Sequence, residues 1–289
     1  MSQFDGPHVL VGFDGSPASE RALRWGAVEA RLRGLPLTVC HAWYWPYPVP
    51  PSGPSALETV RRMGQHTLDC GVFIAQEVTP QILIRPRLAA GTAPAILVEE
   101  SKNAVLALVG LHGQGGFAEL VAGSAAVQVP SYAHCPVVVV RDVVDQGLPI
   151  VVGVDGSSAS EAALAFAFEE AALHHRSVRA VYGCWEPEAV ASAEMGMLAD
   201  PEELRVMGGT RLERVVSPWR EKYPAIEAET VLVMRTPRRA LLEAATGAGL
   251  LVLGDRGLGG VAGLRLGAVS HALLLHAPCA VAIATSHVR

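Results

Sequence analysis

No run of about 18 consecutive apolar residues, the length a membrane-spanning helix needs, occurs in the chain. The nearest approach, residues 267–285, is interrupted by Ser270, His271, His276 and Pro278. A membrane partner is therefore not expected. Cysteine is scarce: Cys40, Cys70, Cys135, Cys184 and Cys279 are odd in number and form no C-x-x-C pair, which argues against a disulfide framework. They read as small core residues in a reducing compartment, and the opening MSQFDGP lacks the basic and apolar regions of a signal peptide, so a cytoplasmic protein is expected. Charge is sparse too, at 18% of residues and a net −5, and scattered Lys and Arg leave no footprint for nucleic acid.

Several catalytic signatures are also missing. Without G-x-x-x-x-G-K-[ST] there is no P-loop lysine for β- and γ-phosphates, and no G-x-G-x-x-G follows the first strand as a dinucleotide fold requires. Neither a G-x-S-x-G elbow nor an H-E-x-x-H pair occurs, and His134, His276 and the cysteines do not fall at zinc spacing. A response-regulator receiver would carry its phosphoacceptor at the end of strand 3, where Ala89 and Ala90 stand, and a pyrophosphatase of the adenylating kind would read SGGxDS where this chain has VGFDGSP.

What the chain does have is apolar residues, 50% of 289 with a mean hydropathy of +0.30, as expected for strands buried on both faces. It is also a duplication. VGFDGSPASERAL at residues 11–23 recurs as VGVDGSSASEAAL at 152–164, and the register persists: Trp43 matches Trp185, Gly110 matches Gly254, Gly113 matches Gly257, Gly123 matches Gly267 and Cys135 matches Cys279. A repeat this long is a whole domain, so two domains are expected, at residues 1–144 and 149–289, with a polar joint near 141–149.

Strand and helix alternate within each domain. In the first, residues 8–13, 37–42, 82–89, 104–110 and 136–140 read as strands, and 17–33, 56–76, 93–101 and 124–133 as helices. Ser16 makes a good N-cap, followed by Pro17 at the first helical position. In the second domain the strands are expected at 150–154, 178–184, 229–235, 249–254 and 279–284. This pattern predicts an α/β fold of two tandem, doubly wound, five-stranded parallel sheets, with strand order 3-2-1-4-5 among the few options. In that order the chain reverses between strands 1 and 4, the place where such sheets bind ligands. Asp14 and a glycine-rich loop fall there in the first domain, and Asp155 with the loop from Gly254 in the second.

The loop reads G-x2-G-x9-G-S at Gly110, Gly113, Gly123 and Ser124, and leads into a helix. Glycines let the backbone approach an anion, and a helix N-terminus with a hydroxyl offers donors to phosphate oxygens. An Asp ending strand 1, this loop after strand 4 and an HAPC-like turn before strand 5 together resemble the universal stress protein family, in two tandem copies covering nearly the whole chain. The resemblance implies an adenine nucleotide alpha hydrolase-like fold with ATP, AMP or ADP in each crevice. It also implies pairing through fifth strands, within one chain or in a homodimer. On that resemblance Asp14 lies near the adenosine end, the backbone at Ala42 meets the adenine edge, and Gly110, Gly113, Gly123, Ser124 and Ala125 enclose ribose and phosphates. The corresponding set is Asp155, Cys184, Gly254, Gly257, Gly267, Ala268 and Val269. Ala268 departs from the pattern: it lacks the hydroxyl, a loss of roughly 1.5–3 kcal/mol for a bond to a charged oxygen. Arg256 and Arg265 stand nearby as a partial offset, and the first site reads as the more complete.

The expected function is a nucleotide-binding sensor or regulator of stress physiology, in which bound ATP orders residues 111–122 and 255–266 and alters a surface read by an unidentified protein partner. Two alternatives stand beside it: a slow ATPase using Asp14 with magnesium, and a ligand-free scaffold. Plainer readings exist for single features. The aspartates could merely cap the first helix, His112 could be a solvated loop residue, Arg238 and Arg239 a solvated helix start, and the PxxP of Pro48 to Pro51 a stiff cover over the adenine pocket.

Overall fold

The computed structural model describes residues 6–45, 47, 49–51, 53–113, 122–141, 147–184, 200–258 and 265–285. Trp185, Pro48 of the PxxP segment, residues 142–146 of the joint and the middles of both glycine loops, 114–121 and 259–264, lie outside the described residues. The chain's contacts divide it into two compact units that separate near residue 142.

In the first unit the elements run β1 (His8–Gly12), α1 (Pro17–Arg33), β2 (Leu37–Trp43), α2 (Pro54–Val78), β3 (Ile84–Ala90), α3 (Ala93–Glu100), β4 (Ala104–Gly110), α4 (Ser124–Tyr132) and β5 (Val137–Val140). The strands form a parallel sheet in the order β3-β2-β1-β4-β5. The second unit repeats the plan with β6 (Ile150–Gly153), α5 (Ser158–His174), β7 (Val178–Cys184), α6 (Pro201–Lys222), β8 (Ala228–Met234), α7 (Pro237–Ala245), β9 (Leu250–Gly254), α8 (Ala268–His276) and β10 (Ala280–Ala284), in the order β8-β7-β6-β9-β10. Both sheets therefore have the expected 3-2-1-4-5 arrangement. Most element ends differ from the sequence expectation by one or two residues: β1 stops at Gly12 rather than 13, and α2 runs two residues further at each end.

The central strands are apolar because helices cover both of their faces. Val9, Leu10 and Val11 of β1, Leu106 to Val109 of β4 and all four valines of β5 are buried, as are Ile150 to Val152 and Ala280 to Ala284 in the second unit. The edge strand β3 is protected from pairing further by Pro86, which has no amide hydrogen to donate. Behind the second sheet Phe168 of α5 is fully buried and stacks on Trp219 of α6, ring centroids 5.9 Å apart.

The first helix of each unit starts in the same way. Ser16 Oγ accepts a hydrogen bond from Ser19 N at 3.2 Å, and Ser157 Oγ accepts one from Ser160 N at 3.1 Å. Each cap satisfies one of the free amides of the first helical turn. α1 ends at Gly34 in the left-handed region with φ 63°, whereas α5 ends in the same conformation at a non-glycine, His175, with φ 53°. No helix among the described residues is long and apolar enough to cross a membrane.

The fourth strand of each unit ends against the first turn of that helix. A Cβ added at Gly110 would lie 2.5 Å from the carbonyl carbon of Ala18, and one at Gly254 would lie 2.6 Å from that of Ala159. Both obstacles are backbone and cannot rotate away. Gly110→Ala and Gly254→Ala should each lower unfolding free energy by on the order of 3 kcal/mol, read as a lower urea midpoint. An unchanged midpoint would show that the helix start has room to retreat.

Candidate functional site

The Asp-Gly-Ser turn after the first strand of each unit carries the carboxylate into the crevice. Gly15 and Gly156 take positive φ values of 82° and 75°, a conformation glycine adopts without steric cost. The turn then folds onto its own carboxylate: Asp14 Oδ1 accepts from Ser16 N at 3.0 Å, and Asp155 Oδ1 from Ser157 N at 2.9 Å. The serines cap the helices, so the aspartates are left for another task.

That task involves the glycine loop. Leu258 N, just after Gly257, donates to Asp155 Oδ2 at 3.0 Å. A Cβ at Gly257 would stand 2.7 Å from the same oxygen, and a Cβ at Gly113 would stand 2.5 Å from Asp14 Oδ2. The second glycine of the motif is thus where the carboxylate ending strand 1 presses against the loop that leaves strand 4. A further tie in the first unit is the bond that Ser16 Oγ donates to the carbonyl of His112 at 3.3 Å. The third glycine closes the loop: Gly123 N donates to Leu111 O at 2.8 Å, and Gly267 N to Asp255 O at 2.8 Å. Each glycine then acts as N-cap of the next helix and, having no side chain, leaves the first amides of α4 and α8 without a capping side chain.

In the second unit these pieces enclose a cavity of about 610 Å3. Asp155, Cys184, Gly254, Gly257, Gly267, Ala268 and Val269, all seven positions expected from the sequence, line it together. The volume lies in the range of small-molecule sites. Most of the wall is apolar, from Val154, Val181, Tyr182, Leu241, Leu253 and Leu258, and Arg256, whose Nε lies 4.0 Å from Asp255 Oδ2, brings a guanidinium to it. Ser270, also in the wall, spends its hydroxyl proton on Gly254 O at 2.8 Å, so it does not replace the donor missing at Ala268.

The first unit arranges its residues in the same way as far as they are described. Ala42 sits near the end of β2, in register with Ala89 of β3, as Cys184 sits at the end of β7 beside Met234. Gly110 ends β4, Gly113 packs on Asp14, Gly123 returns to Leu111, and Ser124 and Ala125 open α4. Ser124 is exposed, with its side chain on the first turn of the helix. Beneath this end of the sheet Cys40 is buried, and burial pushes its thiol up to about 12. His41 hydrogen-bonds Phe13 O at 2.8 Å and so ties β2 to the turn before Asp14.

Sequence reasoning missed part of the wall. Pro237 and Leu241 enter from α7, packed against the end of β7: a Cβ at Gly183 would meet Pro237 Cα at 2.6 Å. Nothing in strand–helix periodicity marks these residues. Their place follows from the crossover that returns α7 along β7, and the only local signal is the apolar Leu241 on the buried face with Ala240 and Ala245.

These features define the class: tandem doubly wound α/β units, each with a glycine loop packed on a carboxylate at the switch point of its sheet. The sequence profile of the universal stress protein family matches residues 7–141 and 148–285, and the chain belongs to that family as a tandem member. It is 33% identical over 290 residues to universal stress protein Rv2623 of Mycobacterium tuberculosis, covering 95% of each chain. Universal stress protein Rv2005c of the same organism is also 33% identical, with 96% of each chain covered. The fold matches the crystal structure of a universal stress protein from Archaeoglobus fulgidus, with a TM-score of 0.70, 18% identity and 96% of each chain covered.

The bond from Leu258 N to a charged oxygen should be worth roughly 1.5–3 kcal/mol locally. In Asp155→Ala the Leu258 amide should therefore exchange with deuterium about 10- to 100-fold faster, while Asp14→Ala leaves it unchanged. Equal exchange in all three proteins would show that the carboxylate does not hold the loop.

Proposed function

We infer that both crevices bind an adenine nucleotide and that the protein acts as a nucleotide-dependent sensor or regulator in stress physiology. The observation that carries this reading is the meeting of all seven second-unit motif positions in one cavity. Its chemistry suits a nucleotide. The apolar wall and the end of β7 offer a slot for a flat base with backbone groups at its edge. At the opposite end, glycine backbone and the free amides at the start of α8 offer donors for phosphate oxygens, supplemented by Arg256. Membership of the universal stress protein family supports the physiological part.

ATP is the form proposed for the first crevice, where Ser124 adds a hydroxyl to the helix start. In the second, Ala268 removes that donor and Arg256 supplies charge instead, so its grip on a polyphosphate should be weaker and more sensitive to salt. Bound nucleotide would order the glycine loops and thereby alter a surface available to a protein partner. A cytoplasmic location and pairing through the fifth strands, within one chain or in a homodimer, belong to the same proposal.

The test is to denature freshly purified protein, then identify and count the released nucleotide by chromatography. Between one and two adenine nucleotides per chain are expected, falling in Gly123→Asp and Gly267→Asp, with the larger loss in Gly123→Asp. No nucleotide, together with flat calorimetry on adding ATP, would overturn the reading and leave a scaffold.

A further inference from the structure

One face of α2 has no role in the crevices. The helix buries Gly64, Leu68, Gly71 and Ala75 against the sheet. Its far side presents Met63, His66, Cys70 and Phe73, spaced three, four and three residues apart, which places them in one line along the outside of the helix. Met63 is 66% exposed and Phe73 61%, so both leave most of their apolar surface in water. Between them Cys70 is exposed, with its Sγ 3.9 Å from His66 Nε2. Burial pushes the thiols of Cys40 and Cys135 up to about 12 and removes them from chemistry, whereas Cys70 faces solvent beside an imidazole.

A thiolate and an imidazole one turn apart form a two-point chelate. Zinc holds sulfur at about 2.3 Å and nitrogen at about 2.0–2.1 Å, and at the tetrahedral angle those two ligands stand roughly 3.5 Å apart. The pair in α2 needs only a small side-chain rotation to reach that geometry. It supplies half of a Cys2His2 set, and no neighbouring part of its own helix face offers the other half.

The line of residues is symmetric about the level of Leu68. Met63 and Phe73 lie five residues either side of it, and His66 and Cys70 two residues either side. Two copies of α2 packed antiparallel about a two-fold axis at that level place each Met63 on the other copy's Phe73 and each His66 beside the other's Cys70. The contact is isologous, as closed dimers require. At each end Arg62 of one copy lies three residues, about 4.5 Å along the axis, from the level of Glu77 of the other, within reach of an arginine side chain. Two apolar residues per helix are too few to reach the roughly 1,000 Å2 that a stable interface buries. A bound ion supplies what the apolar contact lacks, and its preference for soft ligands follows from the thiolate.

We propose that the outer face of α2 is a metal-dependent homodimerisation surface, in which His66 and Cys70 from two copies complete a tetrahedral site for zinc. Assembly is then set by available zinc independently of whether either crevice holds a nucleotide.

The experiment is a titration of the full-length, reduced protein with zinc, followed by light scattering. The expected result is a doubling of mass at one zinc per two chains, reversed by EDTA. Cobalt in place of zinc should give the intense absorption of tetrahedral sulfur ligation. Both signals should vanish in His66→Ala and Cys70→Ser, exposed positions where circular dichroism can verify an unchanged fold. Phe73→Glu keeps both ligands and should raise the zinc concentration needed for doubling at least ten-fold. A mass indifferent to zinc, a doubling that persists in the two ligand variants, or one zinc per chain without change of mass would each overturn the proposal.

Discussion

The carboxylate that ends the first strand of each unit organises everything around it. Asp155 accepts from Ser157 N with one oxygen and from Leu258 N with the other, so one side chain sets both the turn into α5 and the start of the glycine loop. Asp14 makes the same turn with Ser16, and its second oxygen stands where only a glycine at 113 leaves room. A doubly wound sheet opens a crevice where its chain reverses, but an open crevice has no definite shape until its loops are fixed. In the second unit a hydrogen bond from Leu258 N to a charged acceptor fixes the start of the loop, and in the first the carboxylate packs on Gly113.

Two jobs are divided among the glycines of one motif. The first and second glycines are steric: Gly110 and Gly254 let a strand end meet backbone of the first helix, and Gly113 and Gly257 let the loop meet a carboxylate. The third is an N-cap that leaves the first amides of the next helix without a capping side chain. Packing constraints thus account for two positions, and chemistry toward an anion belongs to the third and the residues after it. The contrast between Ser124 and Ala268 falls on this third part: the two units share one fold while one helix start carries a hydroxyl and the other a methyl group.

Much of this was legible in the sequence. Short apolar runs alternating with capped helices led to the sheet order, and the DGS repeat with matched glycines led to the crevice positions that meet in the second unit. Periodicity works here because parallel strands are buried on both faces and read as unbroken apolar runs. Less was visible where contacts join distant segments. Asp155 was expected to face a ligand, and its bond to Leu258, more than a hundred residues away, leaves no trace in local pattern. Pro237 and Leu241 became cavity walls through a crossover, and His175 ends α5 in a left-handed conformation that glycine would have announced and histidine does not. Element ends moved by a residue or two because bonding and apolar character fade over a residue or so at a strand end, as at Phe13, whose amide still donates to Cys40 O at 2.9 Å although β1 ends at Gly12.

The central claim is that the glycine loops and the ends of the first two strands form the nucleotide site in each unit. Amide chemical-shift mapping during an ATP titration tests it most directly. The account predicts saturable shifts largest at Gly113, Gly123, Gly257 and Gly267 and at the ends of the first two strands of each unit, around Asp14, Ala42, Asp155 and Cys184. A spectrum that ATP leaves unchanged, or shifts confined to surfaces away from both crevices, would contradict it.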